Sequence, residues 1–195
     1  MQKVYKIIFL GNSFVGKTTL ISQYLYSKTQ NPTPTIGVDF LNSSLDINGQ
    51  RIRIQLWDTA GQERFHSIVG NYTRDTFLAI IVFSIDDLES MDNVEMWIKD
   101  FALSHNSIEN INILVVGNKM DLKVESFEDC YSKAKDVSEK YGARLVTTSA
   151  LDSNGIKEMA SAISEFILEN IENTKNDTKD KANAIVAATG KRRCC

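Results

Sequence analysis

The segment Gly11-Asn12-Ser13-Phe14-Val15-Gly16-Lys17-Thr18 has the spacing G-x-x-x-x-G-K-[ST], which is suited to gripping nucleotide phosphates. Its glycines allow a tight turn and a close backbone approach. The N–H groups of Asn12, Ser13, Phe14, Val15 and Gly16, with the helix start at Lys17, Thr18 and Thr19, can then face phosphate oxygens. Lys17 adds a point charge for the β- and γ-phosphates, and Thr18 offers a hydroxyl to Mg2+. Asp58-Thr59-Ala60-Gly61-Gln62 supplies a carboxylate for the same Mg2+, through water. Gly61 lets its N–H approach a γ-phosphate, and Gln62 can orient the attacking water. Thr35, in the loop holding Pro32 and Pro34, has a hydroxyl and an N–H that can close on Mg2+ and the γ-phosphate. Both contacts vanish when that phosphate leaves, so this loop can report the state of the nucleotide.

Asn118-Lys119-Met120-Asp121 can choose the base. The Asp121 carboxylate can accept two N–H bonds from the N1 and N2 edge of guanine. Adenine offers no such donors, and sites built on that logic reject the wrong partner by about 10⁴-fold or more. Asn118 would tie neighbouring loops, and the Lys119 stem would lie along the base. Thr148-Ser149-Ala150 reads two ways: an ordinary strand-to-helix turn, or a site where the Ala150 N–H meets guanine O6 beside Ser149. Taken singly, each string has an ordinary alternative, such as a glycine turn, a solvated strand-end aspartate or a polar loop. In this order they describe one pocket for Mg·GTP.

Such residues need a sheet to converge on, and the apolar pattern supplies one. Strands are expected at Val4–Leu10, Val38–Ile47, Arg51–Trp57, Phe77–Ile85, Ile111–Gly117 and Arg144–Thr148. Asn48-Gly49 is a hairpin signal joining the second and third. Helices are expected at Lys17–Tyr26, from about Ser90 to Ser104, from a Ser126/Asp129 capping box to near Gly142, and from Ile156 to about Asn170. This is an α/β fold of the P-loop type: a mostly parallel six-stranded sheet, one antiparallel hairpin arm, and helices on both faces. Residues 1–171 form the domain, and the polar residues 172–195 read as a flexible tail. Phe40, Trp57 and Tyr72 lie near the mobile loops, and both core packing and a partner surface suit them.

The 195 residues are 43% hydrophobic and carry a net charge of −3, which suits one globular domain and argues against nucleic acid as a partner. Three cysteines make no disulfide framework, so a reducing, intracellular compartment is expected. His66 and Cys130 suggest no chemistry. No apolar run reaches the length of a membrane span.

From about Lys3 to Ile171 these residues resemble the Ras superfamily, and within it the Rab family. Ile36-Gly37-Val38-Asp39-Phe40, Trp57-Asp58-Thr59-Ala60-Gly61-Gln62-Glu63-Arg64-Phe65 and the terminal Cys194-Cys195 resemble Rab hallmarks. Asn71-Tyr72-Thr73-Arg74-Asp75-Thr76, Phe9-Leu10-Gly11 and Trp97-Ile98 resemble the branch tied to retrograde Golgi traffic. The resemblance implies a GTP/GDP switch with slow intrinsic hydrolysis that regulates vesicle trafficking. It implies an effector surface at Ile36, Phe40, Trp57 and Tyr72, and two geranylgeranyl chains on Cys194 and Cys195. Lys191-Arg192-Arg193 would add attraction to anionic lipid. The implied partners are an exchange factor, a GTPase-activating protein, effectors, a prenylation escort and a GDP-dissociation inhibitor. The implied form is a monomer, lipid-anchored to the cytoplasmic face of Golgi or vesicle membranes and cycling with the cytosol. Leu151 departs from the lysine that relatives often carry. The Ala150 N–H contact would survive this, at a modest cost in guanine affinity.

Overall fold

A computed structural model of the chain describes residues 3–28, 35, 37–61, 72–104, 111–125 and 127–190, those from 176 onward as backbone alone. The element order is β1 (Val4–Leu10), α1 (Lys17–Tyr26), β2 (Val38–Ile47), β3 (Gln50–Thr59), β4 (Leu78–Ser84), α2 (Leu88–Asp92), α3 (Val94–Ser104), β5 (Asn112–Asn118), α4 (Phe127–Lys140), β6 (Arg144–Thr147) and α5 (Ile156–Gly190). Six strands form one sheet in the order β2-β3-β1-β4-β5-β6. Only β2 and β3 pair antiparallel, through the turn at Asn48 (φ 52°) and Gly49 (φ 75°). The expected sheet is the one found.

Strands covered on both faces need apolar residues on both, and the two cores follow from that. In β1, Ile7 and Phe9 join Leu20, Ile21, Ile80, Leu114, Ile163 and Ile167 beneath α1 and α5. Ile8 and Leu10 turn the other way, to Ile81, Phe83, Trp97, Phe101, Cys130 and Ala134 beneath α2, α3 and α4. Cys130 is thus a buried filler. Each buried Ile, Leu or Phe of these two cores contributes about 1.5–3 kcal/mol by leaving water.

Several boundaries differ from expectation. The helix expected from Ser90 starts at Leu88, because the Asp87 side chain accepts the Ser90 N–H at 3.2 Å and caps the end. It divides at Asn93 into α2 and α3. Strand β3 runs on to Thr59, so Asp58 lies within it, opposite Asp39 on β2 and Phe9 on β1. Asn118 is likewise the last residue of β5 rather than the first after it. The stretch expected to be a tail continues α5 to Gly190. No proline or glycine interrupts the chain from Ile156 to Thr189, and the alanines 182, 184, 187 and 188 favour helix. Ser126, Pro32, Pro34, Ile36, Gln62, His66, Cys194 and Cys195 lie outside the described residues. Among those described, no helix is long and apolar enough to cross a membrane.

The parallel strands all end at one edge of the sheet. β1 sits where the chain turns to opposite sides, toward β3 and toward β4. A crevice outside the strand ends at such a reversal is where this architecture binds ligands. The loops after β1, β3, β5 and β6 carry the strings singled out above.

Candidate functional site

One cavity of about 540 Å³ opens there. Ser13, Phe14, Gly16, Lys17, Thr18 and Thr19 line it from the first loop and α1, and Thr35, Thr59 and Gly61 from the next two segments. Asn118, Lys119, Asp121, Leu122, Ala150 and Leu151 line it from the loops after β5 and β6. The three strings expected to share a pocket do share one.

The first loop is held open by steric necessity. Gly11 has φ +134°, and a Cβ there would lie 2.1 Å from the Val82 carbonyl oxygen. A Cβ on Gly16 would lie 2.4 Å from Asn118 Nδ2. Gly16 also precedes α1 as an N-cap that lends no side chain, and the first turn of α1 has no acidic residue. The N–H groups of that turn are therefore left for an anion. Lys17, 5% exposed, donates to the carbonyls of Gly11 (2.9 Å) and Asn12 (2.8 Å). Burial pushes its pKa down to about 8, against the opposing pull of Asp58.

Beside it, three oxygens converge. Thr18 Oγ1 donates to Asp58 Oδ2 at 2.6 Å and lies 2.8 Å from Thr35 Oγ1, itself 3.2 Å from that carboxylate oxygen. Burial raises the Asp58 pKa, while the two hydroxyls and Lys17 lower it. Its other oxygen, Oδ1, is buried without a hydrogen-bond partner. An orphaned carboxylate oxygen among hydroxyls is a hard-oxygen donor set, and it fits Mg2+. Gly61 closes the far side, where a Cβ would come 2.2 Å from the Asn12 carbonyl oxygen and 2.4 Å from Lys17 Nζ.

The opposite end of the cavity is built by cross-loop ties. Asn118 Nδ2 donates to the Val15 carbonyl at 2.9 Å, and its Oδ1 accepts from Thr148 Oγ1 and from the Ala150 N–H, both at 3.2 Å. Asn118, at the end of β5, therefore ties the loops after β1 and β6, as its sequence position suggests. Ser149, fully buried, donates to Asp121 Oδ1 at 2.6 Å and so fixes that carboxylate. Ser149 orients Asp121, which lines the cavity, and does not line it itself. The Ala150 N–H must share or leave Asn118 to meet a base. Lys119 sits at φ 68°, its ammonium 3.3 Å from Asp86 Oδ1.

Asn12 and Val15 line nothing with their side chains. Asn12 Oδ1 accepts the Trp97 indole N–H at 3.0 Å, and Val15 is in the core. Trp97, Thr59 and Leu122 take part here without having been singled out for it. Periodicity reads neighbours a few residues apart, whereas Trp97 and Asn12 are 85 apart. Thr59 donates to the Phe9 carbonyl at 2.7 Å.

Away from the cavity, Phe40 stacks on Trp57 with centroids 5.6 Å apart, and Trp57 meets Tyr72 at 6.0 Å. Lys6 lies 4.2 Å over the indole and donates to the Tyr72 carbonyl at 2.6 Å. Trp57 and Tyr72 rest on the core, as the packing reading has it, while Phe40 is half exposed.

A model of the Ras family matches residues 6–169. The Ras-related protein Rab-11B of Dictyostelium discoideum is 38% identical over 179 residues, which span 91% of this chain and 80% of that protein.

Proposed function

Because the chain belongs to the Ras family, as a Rab-like small GTPase of vesicle trafficking, we propose that this cavity binds Mg·GTP and hydrolyses it with the residues described above. The observation that carries this reading is the single cavity lined by Lys17, Thr18 and Thr35 at one end and Asp121 at the other. The uncapped first turn of α1 and Lys17 receive the β- and γ-phosphates. Thr18, Thr35 and Asp58 would hold Mg2+, which when bound neutralises charge on those phosphates. Thr35 and Gly61 sense the γ-phosphate, and Gln62 orients water. Among the described residues no arginine lines the cavity to serve as a finger, so intrinsic hydrolysis is slow and a GTPase-activating partner completes the site.

The aromatic face of Phe40, Trp57 and Tyr72, with Ile36, receives effectors. It lies beside the loops that the γ-phosphate orders. Cys194 and Cys195 carry the lipid chains, residues 172–195 link them to the domain, and the membrane is that of the Golgi or its vesicles. An exchange factor, a prenylation escort and a GDP-dissociation inhibitor complete the cycle.

The test is to identify the nucleotide on the purified full-length chain and to follow phosphate release in a single turnover. Bound guanine nucleotide and slow release with Mg2+ are expected. Tight ATP binding, or neither nucleotide held at micromolar strength, refutes the reading. Gln62→Leu should slow intrinsic turnover by about tenfold to a hundredfold, since misplaced water costs that much, while GTP affinity stays unchanged. Unaltered turnover in that variant removes the role given to Gln62.

A further inference from the structure

We infer that the Phe14 side chain closes over the ribose and base of the bound guanine nucleotide and, with Leu122 and Leu151, retards its release. This rests on the guanine-nucleotide reading above and assigns the retention step to an apolar rim.

Phe14 stands in the left-handed region at φ 62°. The phosphate cradle uses that conformation to turn successive N–H groups inward. Glycine would adopt it without strain, whereas a bulky residue does so at a cost. The ring itself is 80% exposed. A strained backbone and an aromatic ring left in water are two separate costs at one residue, and neither serves the fold. Strain at a binding loop points to a function for the side chain that causes it.

The ring has company. Leu151 is 69% exposed and Leu122 39% exposed. Phe14, Leu122 and Leu151 come from three different loops, after β1, β5 and β6, and all three line the one cavity. The same cavity is lined by the buried Lys17 and by Thr18. An apolar rim together with a charged lining matches a ligand with phosphates at one end and a flat purine and ribose at the other. Covering those faces removes the exposed apolar groups from water, and aromatic rings stack well on bases.

The experiment loads the full-length chain with tritiated GDP and follows its release into excess unlabelled GDP with Mg2+ present. Phe14→Gly should release GDP about tenfold faster, a difference of about 1.4 kcal/mol. Phe14→Tyr should stay close to wild type, and Leu151→Ser should release faster by a smaller factor. The nucleotide-free melting temperature of Phe14→Gly should be no lower than wild type, because glycine relaxes the strained position. A merely structural ring would give the opposite sign. Release within about twofold of wild type overturns the inference, and so does faster release that accompanies a lowered nucleotide-free melting temperature. If the wild-type chain holds no guanine nucleotide, the pocket reading falls and this inference with it. If it holds GDP and Phe14→Gly is silent, only this inference falls.

Discussion

Asp121→Ala should weaken GDP and GTP binding by about 10³-fold and leave the chain nearly indifferent to the base. The estimate comes from two hydrogen bonds to a charged acceptor, each about 1.5–3 kcal/mol, at about 1.4 kcal/mol per tenfold in affinity. Asp121 lines the cavity, and the Ser149 hydroxyl holds its Oδ1 at 2.6 Å. The carboxylate is therefore set before the base arrives, and little binding energy goes into ordering it. The fold should hardly register the change. Asp121 is only half-buried, and Ser149 Oγ also accepts the Asp152 N–H at 3.2 Å. Calorimetry with GDP and with ADP makes the comparison. GDP affinity should collapse toward that of ADP, with ADP barely altered. If GDP is held as tightly as before, Asp121 does not read the base.

The main frame of this site was legible in the sequence, for a physical reason. β1, α1 and β2 begin and end where expected, because each is an apolar or amphipathic run bounded by glycine or turn residues. The hairpin at Asn48-Gly49 has the positive φ angles that such a pair favours. The boundaries that differed have local causes, whereas the helix expected after Ser126 starts at Phe127 as the capping pattern required. The cap at Asp87 moved a helix start, and ladder pairing carried β3 through Asp58. Tertiary ties between remote positions were the least readable. Thr18 and Asp58, 40 apart, meet because β1 and β3 are neighbours in the sheet. The motifs assigned both to one Mg2+, although nothing local in either segment states the strand pairing that brings them together. Asn118 was read as a loop tie from its place after an apolar strand, and its three bonds match that reading. The competing claim of Asn118 on the Ala150 N–H has no sequence signal at all.

Lys17→Met should abolish nucleotide binding at micromolar concentrations while leaving the empty protein about as stable as before. Met keeps the length and apolar stem of Lys and removes the charge. The ammonium is buried, and its pKa is pushed down to about 8 by desolvation. A base with a lowered folded-state pKa destabilises the fold at every pH below that value, and the penalty fades as pH rises from there toward the ordinary lysine value. At pH 7 the variant is relieved of it in full. Against this, the Gly11 and Asn12 carbonyls lose their donor, at about 1–3 kcal/mol for buried groups. The two effects oppose each other, so the melting temperature of the nucleotide-free chain moves little. Binding has no such compensation. The phosphates lose a charge-assisted partner, and each such bond is worth about 1.5–3 kcal/mol. Two of them correspond to about 10²–10⁴-fold in affinity. Thermal unfolding with and without saturating GDP reads both halves at once. Wild type should gain several degrees from GDP and Lys17→Met almost none, from similar nucleotide-free starting points. A variant that melts far lower without nucleotide shows Lys17 to be a structural residue first. A variant that still gains stability from GDP shows that the amides of the loop and helix grip the phosphates without it.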